Sequence, residues 1–373
     1  MTDPQIHPLN DSYRVEGAPG WGPAMPPGAS SGWTPSACPE TDESEPSGII
    51  PLRPLTIADI FSGTLNAIRA NPLLHLGLTA CVMALVGAAA GIQVAGLSRA
   101  LRLVERAFVV STGADPLWGL RGVLIPSLSF SALALVLSVL ASVLLTGMLS
   151  LAVADSVVGR RPTARETWKR LRPRFAPLLG TTLLISLLSV AFIAVMTAVI
   201  LMIVFGLLAL APEMESSLFI WVIMLVLMCL IVIAVTFAAL VALTVRLVFA
   251  PIVCVLEERG PVESISRSWA LTGGAFGRLL GRYLLMVLVV NTLVGVVVGA
   301  FTGVTTTVMM LLNSPVFDGA ATGLTVMLAG IAVPVQVACA VLMYTDERMR
   351  TEGLAPALAA ARASAAAGSP MGS

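Results

Sequence analysis

Six stretches of the chain, near residues 74–96, 124–153, 178–210, 218–245, 283–312 and 320–343, contain no Asp, Glu, Lys or Arg. Each approaches or exceeds the roughly 20 residues that cross a hydrocarbon layer about 30 Å thick. A backbone in lipid has no water to bond, so segments of this kind must satisfy their amides internally, as helices. The longer runs are expected to tilt or project beyond the layer. Only 12% of the 373 residues are charged and 57% are hydrophobic, against roughly 25% charged in a soluble domain. A large water-soluble core is excluded, and the expected class is an all-α integral membrane protein.

The arginines set the expected orientation. Residues 154–177 hold Arg160, Arg161, Arg165, Lys169, Arg170, Arg172 and Arg174, and residues 246–282 hold Arg246, Arg259, Arg267, Arg278 and Arg282. The connections 211–217 and 313–319 carry acids and no Lys or Arg. Positive charge favours the cytoplasmic side, so both termini are expected there, with Arg348 and Arg350 following the last span. One connection opposes this pattern: 97–122 carries Arg99, Arg102, Arg106 and Arg121. Its Leu97, Leu101, Val104 and Phe108 fall at helical spacing, which suggests an amphipathic helix on the outer surface.

Shorter amphipathic patterns precede the first, third and fifth runs. Ile57, Ile60, Phe61, Thr64, Leu65 and Ile68 share one helical face, as do Ala164, Trp168, Leu171 and Phe175. Val262, Ile265 and Trp269 form the third such face, with Glu263, Arg267 and Ser268 opposite. Thr56 with Asp59 and Thr163 with Glu166 fit capping boxes, and Pro261 suits a first helical position. The expected architecture is six transmembrane helices as three hairpins, each preceded by a cytoplasmic interfacial amphipathic helix. Gly87 and Gly91 in the first run, and Gly295, Gly299 and Gly303 in the fifth, are candidate seams where helix backbones approach closely, and a contact between those two runs is one expectation.

The ends read differently. Residues 1–50 combine seven acids (Asp3, Asp11, Glu16, Glu40, Asp42, Glu43, Glu45) with one base, Arg14, and are rich in Pro, Gly and Ser. Such a segment buries too little apolar area to offset its ordering entropy, so a disordered acidic cytoplasmic tail is expected rather than a signal peptide. Residues 51–355 form the six-span membrane domain, and 356–373 are a low-complexity cytoplasmic tail with a helical start. Cys38, Cys81, Cys229, Cys254 and Cys339 show no zinc or CxxC spacing and are expected to be unpaired.

Intramembrane chemistry needs ionisable groups gathered at one depth. The spans carry only the amides Gln93, Asn291 and Gln336, with His75, Asp155 and Arg246 at their ends. Asp155 and Arg246 are positioned to pair at the interface. No GxSxG, HExxH or P-loop occurs, and no aspartate-rich motif would hold magnesium. No catalytic residue, cofactor or metal is expected. The basic stretch 159–174 suits anionic lipid headgroups rather than nucleic acid.

The stretch RLVFAPIVCVLEERGPVESISRSWALTGGAFGRLLG, with IIPLRPLTIADIFSGTLNAIRANP and YTDERMRTEGLAPAL, resembles the glycerophosphoryl diester phosphodiesterase membrane-domain family. The similarity runs from about residue 50 to 358, through Arg246, Pro251, Glu257, Arg267, Ser268, Trp269, Tyr344, Asp346, Arg348, Glu352 and Gly353. Gly277 departs from it, standing where an aromatic is expected. The resemblance implies a membrane domain without the catalytic barrel some members carry. Arginine outnumbers lysine 21 to 1, which suits a GC-rich bacterial genome, and the bacterial cytoplasmic membrane is the expected location. The expected function is non-catalytic organisation or binding of lipids or partner membrane proteins. A transporter or transporter subunit and a membrane-embedded lipid-processing enzyme are the alternatives. Asp155, Trp168, Phe61, Arg246, Glu257, Arg267, Ser268 and Trp269 are the candidate interfacial residues.

Overall fold

The computed structural model describes residues 49–51, 53–110, 116–210 and 218–367, and among these it is almost wholly helical with no strand. The acidic segment before residue 49 and the last six residues lie outside the described residues. Six helical segments are long and apolar enough to cross a membrane, as a multi-pass membrane protein requires.

Local chemistry explains the helix boundaries. Helix α1 (Ile57–Ala70) starts at Thr56, whose side chain accepts from the Asp59 amide while Asp59 bonds back to the Thr56 amide. After Pro72 the chain makes one π-turn, Leu73–Gly77, and continues as α2 (Leu78–Val110). Helix α3 (Pro116–Val157) follows, then α4 (Ala164–Leu171), capped reciprocally by Thr163 and Glu166. Helices α5 (Phe175–Leu210) and α6 (Leu218–Leu247) are joined by residues outside the described set. Helix α7 (Ala250–Leu256) and α8 (Pro261–Gly273) then lead to α9 (Phe276–Leu312). Helices α10 (Pro315–Ala329), α11 (Ala332–Glu352) and α12 (Ala355–Ala367) complete the chain.

One expected connection differs. Residues 97–110 extend α2 and residues 116–122 begin α3, so most of the expected surface segment lengthens two spans. The helical periodicity at Leu97 and Leu101 is that of α2 itself, because no Gly or Pro interrupts the pattern before Gly113 and Pro116. Arg102, part of the charge that opposed the orientation, pairs with Asp318 at 2.7 Å.

The last apolar run is two helices. Pro334 has no N–H to offer the Gly330 carbonyl, which accepts instead from the Val333 amide at 3.0 Å. The Ile331 amide bonds to Leu328 at 3.2 Å, so the break is a tight 3₁₀-like turn.

Helix α2 lies along α10, and the seam is made of glycine. A Cβ on Gly91 would stand 2.5 Å from the Gly319 carbonyl oxygen, and one on Gly87 would stand 2.5 Å from that of Gly323. The partner is therefore α10 rather than the fifth span. Gly295, Gly299 and Gly303 would meet nothing within 4 Å. Small residues four apart recur by chance in apolar helices, so spacing alone does not identify the partner.

Burial is concentrated at one end of the bundle. Ile60, Leu55, Leu149, Leu171, Phe249, Val253, Leu342 and Tyr344 are all buried there. The most hydrophobic windows of the third and fourth spans have no buried residue, and their large aliphatic side chains face outward. The short helices bury only part of their expected apolar faces, and α8 buries a different one. In α8 the buried residues are Ser264, Ser268, Leu271 and Thr272, whereas Val262 and Trp269 are exposed. The buried hydroxyls are satisfied: Ser264 donates to the Gly260 carbonyl at 2.8 Å and Thr272 to that of Ser268 at 2.9 Å. In α1, Ile60, Gly63, Thr64 and Ala67 are buried while Ile57 and Leu65 are exposed.

The glycine seam predicts that Gly91→Ala lowers stability by about 1–3 kcal/mol, because backbone cannot yield to an added methyl. Gly299→Ala should be neutral or slightly stabilising. Thermal unfolding of both variants in one detergent checks this, and equal effects would contradict the seam.

Candidate functional site

Acids placed directly after an apolar run must find partners or lose their charge. The last two turns of α11 carry Asp346 and Glu347, whose side chains are 0% and 1% exposed. The Asp346 carboxylate receives the Arg282 guanidinium from α9 and that of Arg350, one turn along, at 2.9 Å. It also accepts the Leu55 backbone N–H at 2.7 Å. Arg282 and Arg350 each donate a second bond, at 3.2 and 3.1 Å, to the Leu55 carbonyl. The chain entering α1 is thus clamped on both its donor and its acceptor. Beside this, Arg278 places one nitrogen 2.9 Å from each oxygen of Glu347.

A second cluster adjoins the first. Glu257, at the end of α7, accepts the Tyr344 hydroxyl at 2.6 Å and pairs with Arg259 at 2.9 Å and Arg267 at 3.3 Å. Arg267 also pairs with Glu352, which Arg348 approaches at 2.8 Å. Gly353 ends α11 in the left-handed region, φ 65°, where a side chain would be strained. Burial acts to raise the Glu257 pKa, but the Tyr344 hydrogen bond and the charges of Arg267 and Arg348 outweigh it and hold the carboxyl below its ordinary value.

Arg246 pairs with no carboxylate among the described residues. Its guanidinium stacks over Trp269 at 5.2 Å and Phe276 at 4.8 Å, and its carbonyl accepts the Ser268 hydroxyl at 2.7 Å. The expected pairing of Arg246 with Asp155 is therefore not formed: Asp155 binds Arg170 at 2.6 Å. His75 is fully buried elsewhere, with Nδ1 3.0 Å from the Asn71 carbonyl and Nε2 without a partner among the described residues. Trp168 is 41% exposed and meets Phe175 edge-on at 6.2 Å, while Phe61 packs at the edge of the core. Among the described residues no group of three His, Cys, Asp or Glu is placed to hold a metal.

Glu257, Arg267, Tyr344, Asp346, Arg348 and Glu352 thus meet in one ionic layer. Sequence reasoning gave Arg278, Arg282 and Arg350 a part only in setting the orientation, and Glu347 and Arg362 no part. Arg362, 6% exposed, bonds the Val157 carbonyl at 3.1 Å and that of Ile50 at 2.7 Å, closing the end of α3 from α12. The available signal was spacing: Arg278 with Arg282, and Asp346 with Arg350, stand four apart at the ends of apolar runs.

Residues 55–346 match the family described as a domain of unknown function, DUF7847. The chain belongs to this family. No curated protein matches it, and no solved structure does. The first and last residues of the DUF7847 segment, Leu55 and Asp346, are the pair joined by the 2.7 Å hydrogen bond. Family boundaries and the ionic clamp coincide.

Because the Glu257 pKa is depressed on folding, its contribution to stability is present above the ordinary value of 4.5 and is lost as pH falls through the folded value. Glu257→Gln should lower the unfolding temperature at pH 7 and flatten the loss of stability between roughly pH 5 and 3. Thermal unfolding in detergent at several pH values checks this; parallel acid limbs would contradict it.

Proposed function

We propose that this DUF7847 protein is a non-catalytic, multi-pass protein of the bacterial cytoplasmic membrane that binds anionic lipid at its basic end. In this reading α1, α4 and α8 are interfacial helices, each preceding a transmembrane hairpin, and both termini are cytoplasmic. The resemblance to the glycerophosphoryl diester phosphodiesterase membrane domain fits such a role and implies no phosphodiesterase activity.

The observation that carries the reading is how the charges are distributed. The buried acids of the layer are matched by arginines of the chain itself. Arg160, Arg161, Arg165 and Arg172 are exposed, and make no ion pair among the described residues. They crowd one short segment beside the exposed Trp168. A lipid phosphate is the natural counter-ion for such a patch at an interface, at about 1 kcal/mol per basic residue. The exposed apolar residues Val262 and Trp269 on α8, and Ile57 and Leu65 on α1, suit insertion among headgroups.

An enzyme reading draws little support, because His75, Asp155 and Arg246 have separate partners. A transporter reading draws on the interrupted last span and on a cavity of about 310 Å³ bordering Asn291 and Gln336. That cavity is lined by no charged residue, which disfavours coupling to an ion.

The test is lipid retention. Wild-type protein in nanodiscs of equal phosphatidylglycerol and phosphatidylcholine should enrich the anionic lipid in its native mass spectrum. The triple variant Arg161→Gln, Arg165→Gln, Arg172→Gln should lose at least about tenfold of that preference. An unchanged preference would sink the proposal.

A further inference from the structure

A groove runs beside the α2–α10 seam. Its volume is about 550 Å³, and its wall includes Gly87, Gly91 and Gly96 of α2, Phe130 of α3 and Gly319 of α10. That size lies within the range of ligand pockets, roughly 300 to 1,000 Å³. Gly87, Gly91 and Gly319 are tight against backbone, but a Cβ on Gly96 would meet nothing within 4 Å, so the groove is open there. Ile92, Phe130 and Val316 line it and are exposed, so it can be entered from the side.

Arg99 carries the one charged or polar side chain among the described residues that line this groove. It is exposed, and makes no hydrogen bond or ion pair among the described residues. The acid of α10 is already committed: Asp318 pairs with Arg102 at 2.7 Å, and Arg102 also donates to the Asn313 carbonyl. Both arginines belong to the connection whose charge opposes the bias of the other loops. Arg102 has a counter-ion within the chain, and Arg99 is left to find one outside it.

Position puts this charge at a membrane surface. Asp318 stands 28 residues before Asp346 of the ionic layer, roughly 40 Å along the last span at the helical rise. That is close to a whole bilayer with its headgroups, about 40–45 Å. Arg99, one turn from Arg102, therefore lies at headgroup level in the leaflet opposite the ionic layer. Gly91 meets Gly319 and Gly87 meets Gly323, so α2 runs inward from Arg99 toward Gly87. Those twelve residues cover about 18 Å, and half of a roughly 30 Å hydrocarbon layer is about 15 Å.

We propose that this groove binds an anionic phospholipid, with one acyl chain against Gly96 and Phe130 and the phosphate on Arg99. A guanidinium presents paired N–H donors that match the oxygens of a phosphate. The apolar wall, as deep as one leaflet, takes the chain attached to it. A zwitterionic lipid offers the same phosphate, but among the described residues no acid lines the groove to receive its ammonium. The site is separate from the basic patch of α4, and either can fail alone.

The test uses the full chain in nanodiscs of equal phosphatidylglycerol and phosphatidylcholine, with a trace of either lipid carrying a diazirine midway along one acyl chain. Peptide mapping should place phosphatidylglycerol adducts on residues 87–96 and 316–323, about fivefold above those of the phosphatidylcholine probe, the worth of one basic residue against anionic headgroups. Arg99→Gln should remove that preference and leave the phosphatidylcholine adducts unchanged. Gly96→Leu, which fills the open part of the groove without meeting backbone, should reduce adducts from both probes. The arginine triple variant of α4 should keep the labelling, which separates this site from the basic patch. Equal labelling by the two probes, a preference unchanged in Arg99→Gln, or adducts unchanged in Gly96→Leu would overturn the proposal. So would a diazirine-bearing palmitate that outcompetes phosphatidylglycerol, which would make the occupant a free fatty acid.

Discussion

A carboxylate with no exposed surface is tolerable only when opposite charge and hydrogen bonds replace its water, and Asp346 is the group on which this fold turns. It gathers Arg282 from α9, Arg350 from its own helix and the Leu55 amide from the chain entering α1. Three segments far apart in sequence are thereby fixed at one point. Glu347 and Glu257 repeat the arrangement with Arg278, and with Arg267, Arg259 and Tyr344. Removing a member would leave its partners charged and partly buried, which is why such a layer resists piecemeal change. The same property makes it a poor site for chemistry, since every buried acid in it is already engaged.

The clamp gives the molecule two unlike ends. At the ionic end, short helices, caps and buried hydroxyls pack around Phe249, Leu171 and Tyr344. Away from it, α5 and α6 present aliphatic side chains outward along their most hydrophobic windows. Lipid solvates such side chains as well as a protein core does, so no further packing is demanded of them. The exception is the α2–α10 seam, where glycines bring two backbones together and Arg102 pairs with Asp318 near its far end.

The sequence was legible where a single local force decides the outcome. Uncharged length located all six spans, and Thr56–Asp59 and Thr163–Glu166 marked helix starts through cap chemistry. It was less legible where the partner is distant. Gly87 and Gly91 announced a close approach but not that α10 would supply Gly323 and Gly319. The apolar face of α8 suggested what that helix could bury, whereas the structure turns Ser264 and Ser268 inward and leaves Val262 and Trp269 exposed; in α1, Ile60 and Thr64 of the expected face are buried but Leu65 is not. Pairing of Arg246 with Asp155 was a guess from shared depth, and stacking on Trp269 and Phe276 displaced it. The break near Gly330 follows from Pro334, yet one proline is equally compatible with a mild kink. Residues 1–48 lie outside the described residues, so the expected tail stays an expectation.

The central claim is that the ionic layer holds the fold through direct coupling of its members. A double-mutant cycle on Arg282→Met and Asp346→Asn, read by unfolding in detergent, tests it most directly. Each single variant should be strongly destabilised, and the double should be less destabilised than their sum by about 1–3 kcal/mol. Additive losses, within about 0.5 kcal/mol, would contradict the account.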